Sequence, residues 1–157
     1  MEIEYQYRFG LPKTIVIKYI QNEEVLRNSL PGCKSFTKTS SGIYTGEMEI
    51  NLGPLQDLFT LEVEIVDDKT PSLIKLKING NGHLGQIEGN AVLMFKENQN
   101  QGLTQLTCRA AGKASGALGL AGKKLLDSGA AKGLENFFQQ LEKEMKRKVY
   151  QTKRRNR

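Results

Sequence analysis

The chain has no tryptophan, one histidine, two cysteines and four prolines in 157 residues, and no long apolar run. Cys33 and Cys108 lie far apart without Cys-x-x-Cys spacing. That excludes a disulfide framework or a zinc knuckle and leaves two small buried or half-buried thiols as the expectation. No stretch approaches the roughly 18 apolar residues of a membrane-spanning helix. Met1-Glu2-Ile3-Glu4 lacks the basic start and apolar run of a signal peptide, so a cytoplasmic protein is expected. There is no repeat at solenoid period and no low-complexity stretch. The length suits one domain with one core, and no metal or cofactor site is expected.

Charge is unevenly spread. The net charge is +6, yet the segment from Lys143 to Arg157 holds eight basic residues and one acid, Glu144. The rest of the chain is therefore close to neutral. A nucleic-acid reader more typically carries basic residues across a folded face, interleaved with aromatics, and no such pattern occurs here. Nucleic acid is not the expected partner.

Strict alternation opens the chain: Ile3, Tyr5, Tyr7 and Phe9 face one way and Glu4, Gln6 and Arg8 the other, the pattern of a half-buried strand. Pro12 to Ile20 is ambiguous, because its β-branched run favours a strand while Pro12 suits a helix start. Asn22 before Glu23 and Glu24 predicts a capped helix, which Leu30-Pro31-Gly32 stops. From Cys33 to Gly112 period 2 dominates, with turns expected at Ser40-Ser41-Gly42, Gly53-Pro54, Asp67-Asp68-Lys69, Asn79-Gly80-Asn81-Gly82 and Asn98 to Gly102. Six strands follow. Their inward sets run through Tyr44, Met48, Ile50 and Leu52, then Phe59 to Ile65, Ile74 to Ile78, Ile87 to Phe95, and Leu106 to Ala110. Glu47, Glu49, Glu62, Glu64, Lys75 and Lys77 face outward, as on an antiparallel sheet covered on one side.

Residues 114 to 149 read as one long C-terminal helix. At about 100° per residue, Leu118, Gly122, Leu125, Leu126, Gly129, Ala130, Gly133, Leu134, Phe137, Leu141 and Met145 share an arc of about 200°, wider than the ~100° stripe of a surface helix. Each interior glycine costs up to about 1 kcal/mol against alanine, so something else compensates. Two readings stay open and are compatible: close packing of helix on sheet, or clearance for a guest. One strand, a short helical pair, six antiparallel strands and a long helix predict an α+β fold, a curved seven-stranded sheet wrapped around its C-terminal helix. One helix is narrower than such a sheet, so the concave side can leave an apolar pocket.

At Val25-Leu26…Leu30-Pro31-Gly32-Cys33 the chain resembles the CoxG family, named for a component of carbon monoxide dehydrogenase, within the START-like superfamily of helix-grip proteins. Gly46-Glu47-Met48-Glu49-Ile50-Asn51-Leu52-Gly53-Pro54-Leu55 with Phe59 agrees. So do Gly80-Asn81-Gly82…Gly85…Gly89-Asn90-Ala91, and Gly112-Lys113 leading to Leu125-Leu126 and Phe137-Phe138. The likeness covers about residues 1 to 145 and leaves 146 to 157 as a basic tail. It implies a helix from Pro12 to about Tyr19, and it departs at Ile17, where many relatives carry tryptophan. It also implies an apolar cavity for quinones, lipids and similar molecules, association with a molybdenum-hydroxylase type of oxidoreductase, and membrane recruitment through the C-terminal end.

Pattern and resemblance together nominate a lining of Tyr5, Tyr7, Phe9, Tyr44, Met48, Phe59, Leu61, Leu76, Ile78, Ile87, Ala91, Leu118, Leu125, Gly129 and Phe137. The tyrosine hydroxyls are candidate partners for a ligand carbonyl. Lys146, Arg147, Lys148, Lys153, Arg154, Arg155 and Arg157 are candidate contacts to an anionic membrane; a solubilising end or an acidic partner are the other readings of that charge. Catalysis finds little support, since His83 lies among turn residues without an orienting partner and Cys33 has no paired histidine. The leading expectation is a non-enzymatic carrier of a hydrophobic small molecule, peripheral at the inner membrane face. An assembly or recruitment factor for an oxidoreductase comes second, and a cyclase- or aromatase-like enzyme third.

Overall fold

The computed structural model describes residues 1–98 and 100–155. The strands are β1 (Glu2–Phe9), β2 (Cys33–Ser40), β3 (Ile43–Leu52), β4 (Leu55–Thr70), β5 (Leu73–Gly82), β6 (Gly85–Asn98) and β7 (Leu103–Ala114). They form one antiparallel sheet in the order β1-β7-β6-β5-β4-β3-β2. Helices α1 (Lys13–Tyr19) and α2 (Glu23–Ser29) follow β1, and α3 (Gly116–Gly119) and α4 (Lys123–Arg155) follow β7. Directly opposed residues point to the same side of a sheet. Tyr5 opposes Cys108, Cys108 opposes Leu93, Ile78 opposes Val63 and Val63 opposes Tyr44, so the inward sets read from the sequence do share one face.

Two turns lie elsewhere than expected. The β4–β5 hairpin turns between Thr70 and Leu73, and Asp67-Asp68-Lys69 stays in β4, where a bulged register opposite Lys75 absorbs it. Asn79 to Gly82 likewise remains strand, and the chain reverses at His83-Leu84. The glycines there serve close packing: a Cβ at Gly80 would lie 3.1 Å from the ring of buried Phe59. The reversal is held by the Asp57 carboxylate, which accepts a hydrogen bond from the Leu84 amide at 2.8 Å.

The early helices behave as read. Pro12 is the N-cap of α1, whose Val16 and Tyr19 are buried, so tertiary burial overrides the β-propensity of the Ile15-Val16-Ile17 run. The Asn22 side chain caps α2 by accepting from the Val25 amide at 3.0 Å.

The C-terminal segment differs at its start. β7 runs to Ala114, and the short α3 is separated from α4 by Gly122, whose φ of +93° is a left-handed conformation that side chains disfavour. Leu118 therefore belongs to α3, and Leu120 between the two helices is 89% exposed. From Lys123 onward the helix is continuous for 33 residues, about 50 Å at 1.5 Å per residue. Residues 146–155, expected as a tail, are helical.

The core lies at the end of the concave face closed by α1 and α2. Phe9, Val16, Val25, Leu106, Phe138, Leu141 and Met145 are fully or almost fully buried there, each contributing about 1.5–3 kcal/mol by burial. Phe138 stacks on Tyr5 and Tyr7 and meets Phe9 edge-on. Polar ties fix α4 to this end. Glu142 accepts from the Gly10 amide at 2.6 Å and the Tyr7 hydroxyl at 3.2 Å. Arg147 bridges buried Glu144 at 2.8 Å and Glu24 of α2 at 3.3 Å, and Lys148 also pairs with Glu24.

Candidate ligand cleft

The other half of the concave face is not sealed. Met48, Ile50, Leu52, Leu61, Ile78 and Ile87 point inward yet stay half-buried, as do Leu125, Leu126, Ala130, Gly133 and Leu134 on the α4 turns above them. No α4 residue before Phe138 is fully buried. The two interior glycines of α4 differ in what surrounds them. A side chain at Gly129 would collide with Leu52, so this glycine allows the helix to rest on the β3–β4 hairpin; at half-buried Gly133 a Cβ would meet no atom within 4 Å. One glycine serves contact and the other faces open space.

Between the end of β7 and the first turns of α4 lies a cleft of about 390 Å³, lined by Gly112, Ala114, Gly119 and Leu126 with Met1, Lys113, Lys123 and Asp127. Gly112 and Ala114 are inward-facing residues of β7, opposite Gly89 and Ile87, so the cleft opens on the unsealed half. A larger depression of about 500 Å³ is lined by Arg8, Lys96, Glu97, Gln101, Gln105 and neighbours around the β6–β7 hairpin. It is polar and includes outward-facing residues. An apolar guest has little to bury there.

Polar groups facing the interior are few, and most are already engaged. The Tyr44 hydroxyl donates to the Gln21 carbonyl while its ring stacks on Phe36. Tyr7 is bonded to Glu142, and burial together with that carboxylate pushes its pKa up to about 12. Only Tyr5 of the three nominated tyrosines has no hydrogen-bond partner among the described residues; burial, then Glu135, raises its pKa. Sequence reasoning passed over Asp127. It lies seven residues before Leu134 and fourteen before Leu141, a spacing that keeps all three close to one line along a helix. Its Oδ1 is buried and receives no hydrogen bond among the described residues. The signal was available as a carboxylate on the inward line.

The fold divides the nominated lining. Phe9, Tyr44, Phe59, Ala91 and Leu118 are buried against other side chains and have almost no surface to offer. Tyr5, Met48, Leu61, Leu76, Ile78, Ile87, Leu125, Gly129 and Phe137 are half-buried on or beside the open half, and Tyr7 is held by Glu142. The basic set divides too. Lys146 lies 3.8 Å from Glu142, and Arg147 and Lys148 pair with Glu24, whereas Lys153, Arg154 and Arg155 are exposed. Arg157 falls outside the described residues.

Groups with catalytic potential are not assembled. His83 is exposed at a hairpin tip, and Glu47, Glu49 and Glu62 are exposed on the outer face. Burial raises the pKa of Cys33, offset in part by Arg27, and that of Cys108 to about 11, so both stay protonated and weakly nucleophilic at neutral pH. Among the described residues no group of three or more His, Cys, Asp or Glu is placed to hold a metal. No helix among them is long and apolar enough to cross a membrane.

The fold recurs in solved structures. A conserved protein from Geobacillus kaustophilus superposes with a TM-score of 0.87 at 22% identity, over 94% of this chain and 96% of that one. A START superfamily protein from Mycobacterium smegmatis matches at 0.68 and 8%, over 93% and 97%. The Zhui aromatase/cyclase from Streptomyces sp. R1128 matches at 0.66 and 11%, over 95% of both chains. At these identities the likeness shows the fold alone. No curated protein sequence matches significantly. The model of one sequence family, the carbon monoxide dehydrogenase component CoxG, matches residues 6–146. With that match over most of its length, the chain belongs to the CoxG family.

Proposed function

We propose that this protein is a non-enzymatic carrier of an uncharged, quinone- or lipid-like molecule held under the first half of α4. The observation that carries this reading is the partial exposure of inward apolar side chains, from Met48 and Leu61 to Leu125 and Leu126, beside a cleft of about 390 Å³. An apolar guest of suitable size would remove that surface from water at roughly 25 cal/mol per Å². Membership of the CoxG family supports delivery to an oxidoreductase of the molybdenum-hydroxylase type. Native mass spectrometry after mild purification tests the carrier directly: a retained apolar molecule is expected, and a ligand-free protein that takes up no added quinone or lipid contradicts it.

The same reading includes reversible docking on an anionic membrane through the last turns of α4, where Lys153, Arg154 and Arg155 are exposed and Arg154 lies over the Tyr150 ring. Each basic residue near such a surface contributes about 1 kcal/mol, weakened by salt. Removing residues 150–157 should abolish salt-sensitive binding to phosphatidylserine vesicles. A recruitment role without a guest is favoured instead if deleting that end disrupts the partner complex while filling the cleft changes nothing.

A further inference from the structure

We propose that Asp127 is the polar anchor of the cleft and selects a guest that carries a hydroxyl group. The inference deepens the carrier reading and rests on it.

Asp127 occupies a position that the pattern of its own helix assigns to an apolar side chain: the next residues on its line are half-buried Leu134 and buried Leu141. A helix that merely packed on the sheet would continue that line with leucine. Instead a carboxylate enters the wall of the 390 Å³ cleft, beside Leu126, Gly112 and Ala114. Its Oδ1 is shut off from water and accepts no hydrogen bond among the described residues. An ionised carboxylate is an acceptor only, and a buried acceptor without a donor is unfavourable. The cleft is thus complete when a donor is delivered to that oxygen.

Lining charges narrow the donor. Lys113 and Lys123 border the same cleft and repel a cationic head group, while the Asp127 carboxylate repels an anionic one. An uncharged molecule with an apolar body and a hydroxyl head meets neither objection. Its O–H donates to Oδ1 while its body covers the half-exposed leucines and isoleucines beyond. A ketone or an ether of the same shape has no proton to donate and leaves Oδ1 unpaired.

Fluorescence titration of the full chain with 2-naphthol and with 2-methoxynaphthalene separates the possibilities, since the two probes share an apolar body and differ in the donor. The wild-type protein should prefer naphthol by about tenfold or more, as befits a hydrogen bond to a charged acceptor. Asp127→Leu, which restores the apolar line of the helix, should fold, bind both probes and lose the preference. Equal affinity of the wild type for both probes, or a preference that survives Asp127→Leu, overturns the Asp127 assignment while leaving the carrier reading in place. Binding of neither probe overturns both.

Discussion

The two ends of the concave face are built from the same strands and the same helix, yet one is closed and the other is not. Where α1 and α2 cover the sheet, Phe9, Leu106, Phe138, Leu141 and Met145 exclude solvent almost entirely. About two turns up the helix, Ala130, Gly133 and Leu134 face strands that carry as much apolar surface, and none of them is fully buried. The difference is one of coverage. Two short helices and the α4 ties to Glu24 and Gly10 supply extra layers at one end only, so stability is concentrated there and the other end keeps surface available for binding.

The largest test of this division is a pair of truncations. Leu141→Ala should cost about 2–5 kcal/mol, the range for deleting a buried leucine. Leu126→Ala, at the open end, should cost less than about 1 kcal/mol because its site is already half solvated. Urea unfolding followed by circular dichroism measures both, and similar losses would erase the distinction.

Hydroxyl deletions sharpen it at smaller scale. Tyr7→Phe removes the bond to Glu142 and should cost about 1 kcal/mol. Tyr5→Phe, whose hydroxyl has no partner among the described residues, should leave the unfolding midpoint unchanged. Smaller again is the gain expected from Gly133→Ala, about 0.5–1 kcal/mol from helix propensity without a clash. Gly129→Ala should gain less, because Leu52 must move aside.

The smallest effect is pH-dependent and belongs to the closed end. The Arg147 guanidinium, offset in part by burial, holds the Glu144 carboxyl below the usual carboxylate range. A group whose folded pKa is depressed contributes stability above its unfolded pKa and loses it as pH falls through the folded value. The contribution of Glu144 should therefore be complete above about pH 4.5 and fade below it. Urea midpoints of the wild type and Glu144→Gln, compared from pH 6 to pH 3, should converge on acidification; a constant gap would show that the ion pair is not the source.

Much of the fold was legible because period 2 is a strong signal: every inward residue from Tyr44 to Ala110 was read on the correct face. Turn positions were less so. Asn79 to Gly82 has turn composition, but its glycines answer to the Phe59 ring, a contact between strands far apart in sequence. The break at Gly122 was hidden for a similar reason, since a glycine inside an apolar helical pattern looks the same whether it is helical or left-handed. At the site, the apolar lining was legible as pattern, whereas the engagement of Tyr7 and Tyr44 by Glu142 and the Gln21 carbonyl depends on long-range placement. Asp127 was overlooked because a single carboxylate on a lysine-rich helix reads as solvated surface until its neighbours are known.

The central claim is that the open end accepts an apolar guest, and Ala130, half-buried on the α4 turns over the unsealed half, allows it to be tested without touching the core. N-phenyl-1-naphthylamine, an uncharged probe that brightens on leaving water, should bind the wild-type protein saturably at one site. Ala130→Phe should fill that space and abolish the signal while the unfolding midpoint is kept. Absence of saturable binding by the folded wild type, or binding undiminished in Ala130→Phe, would contradict the account.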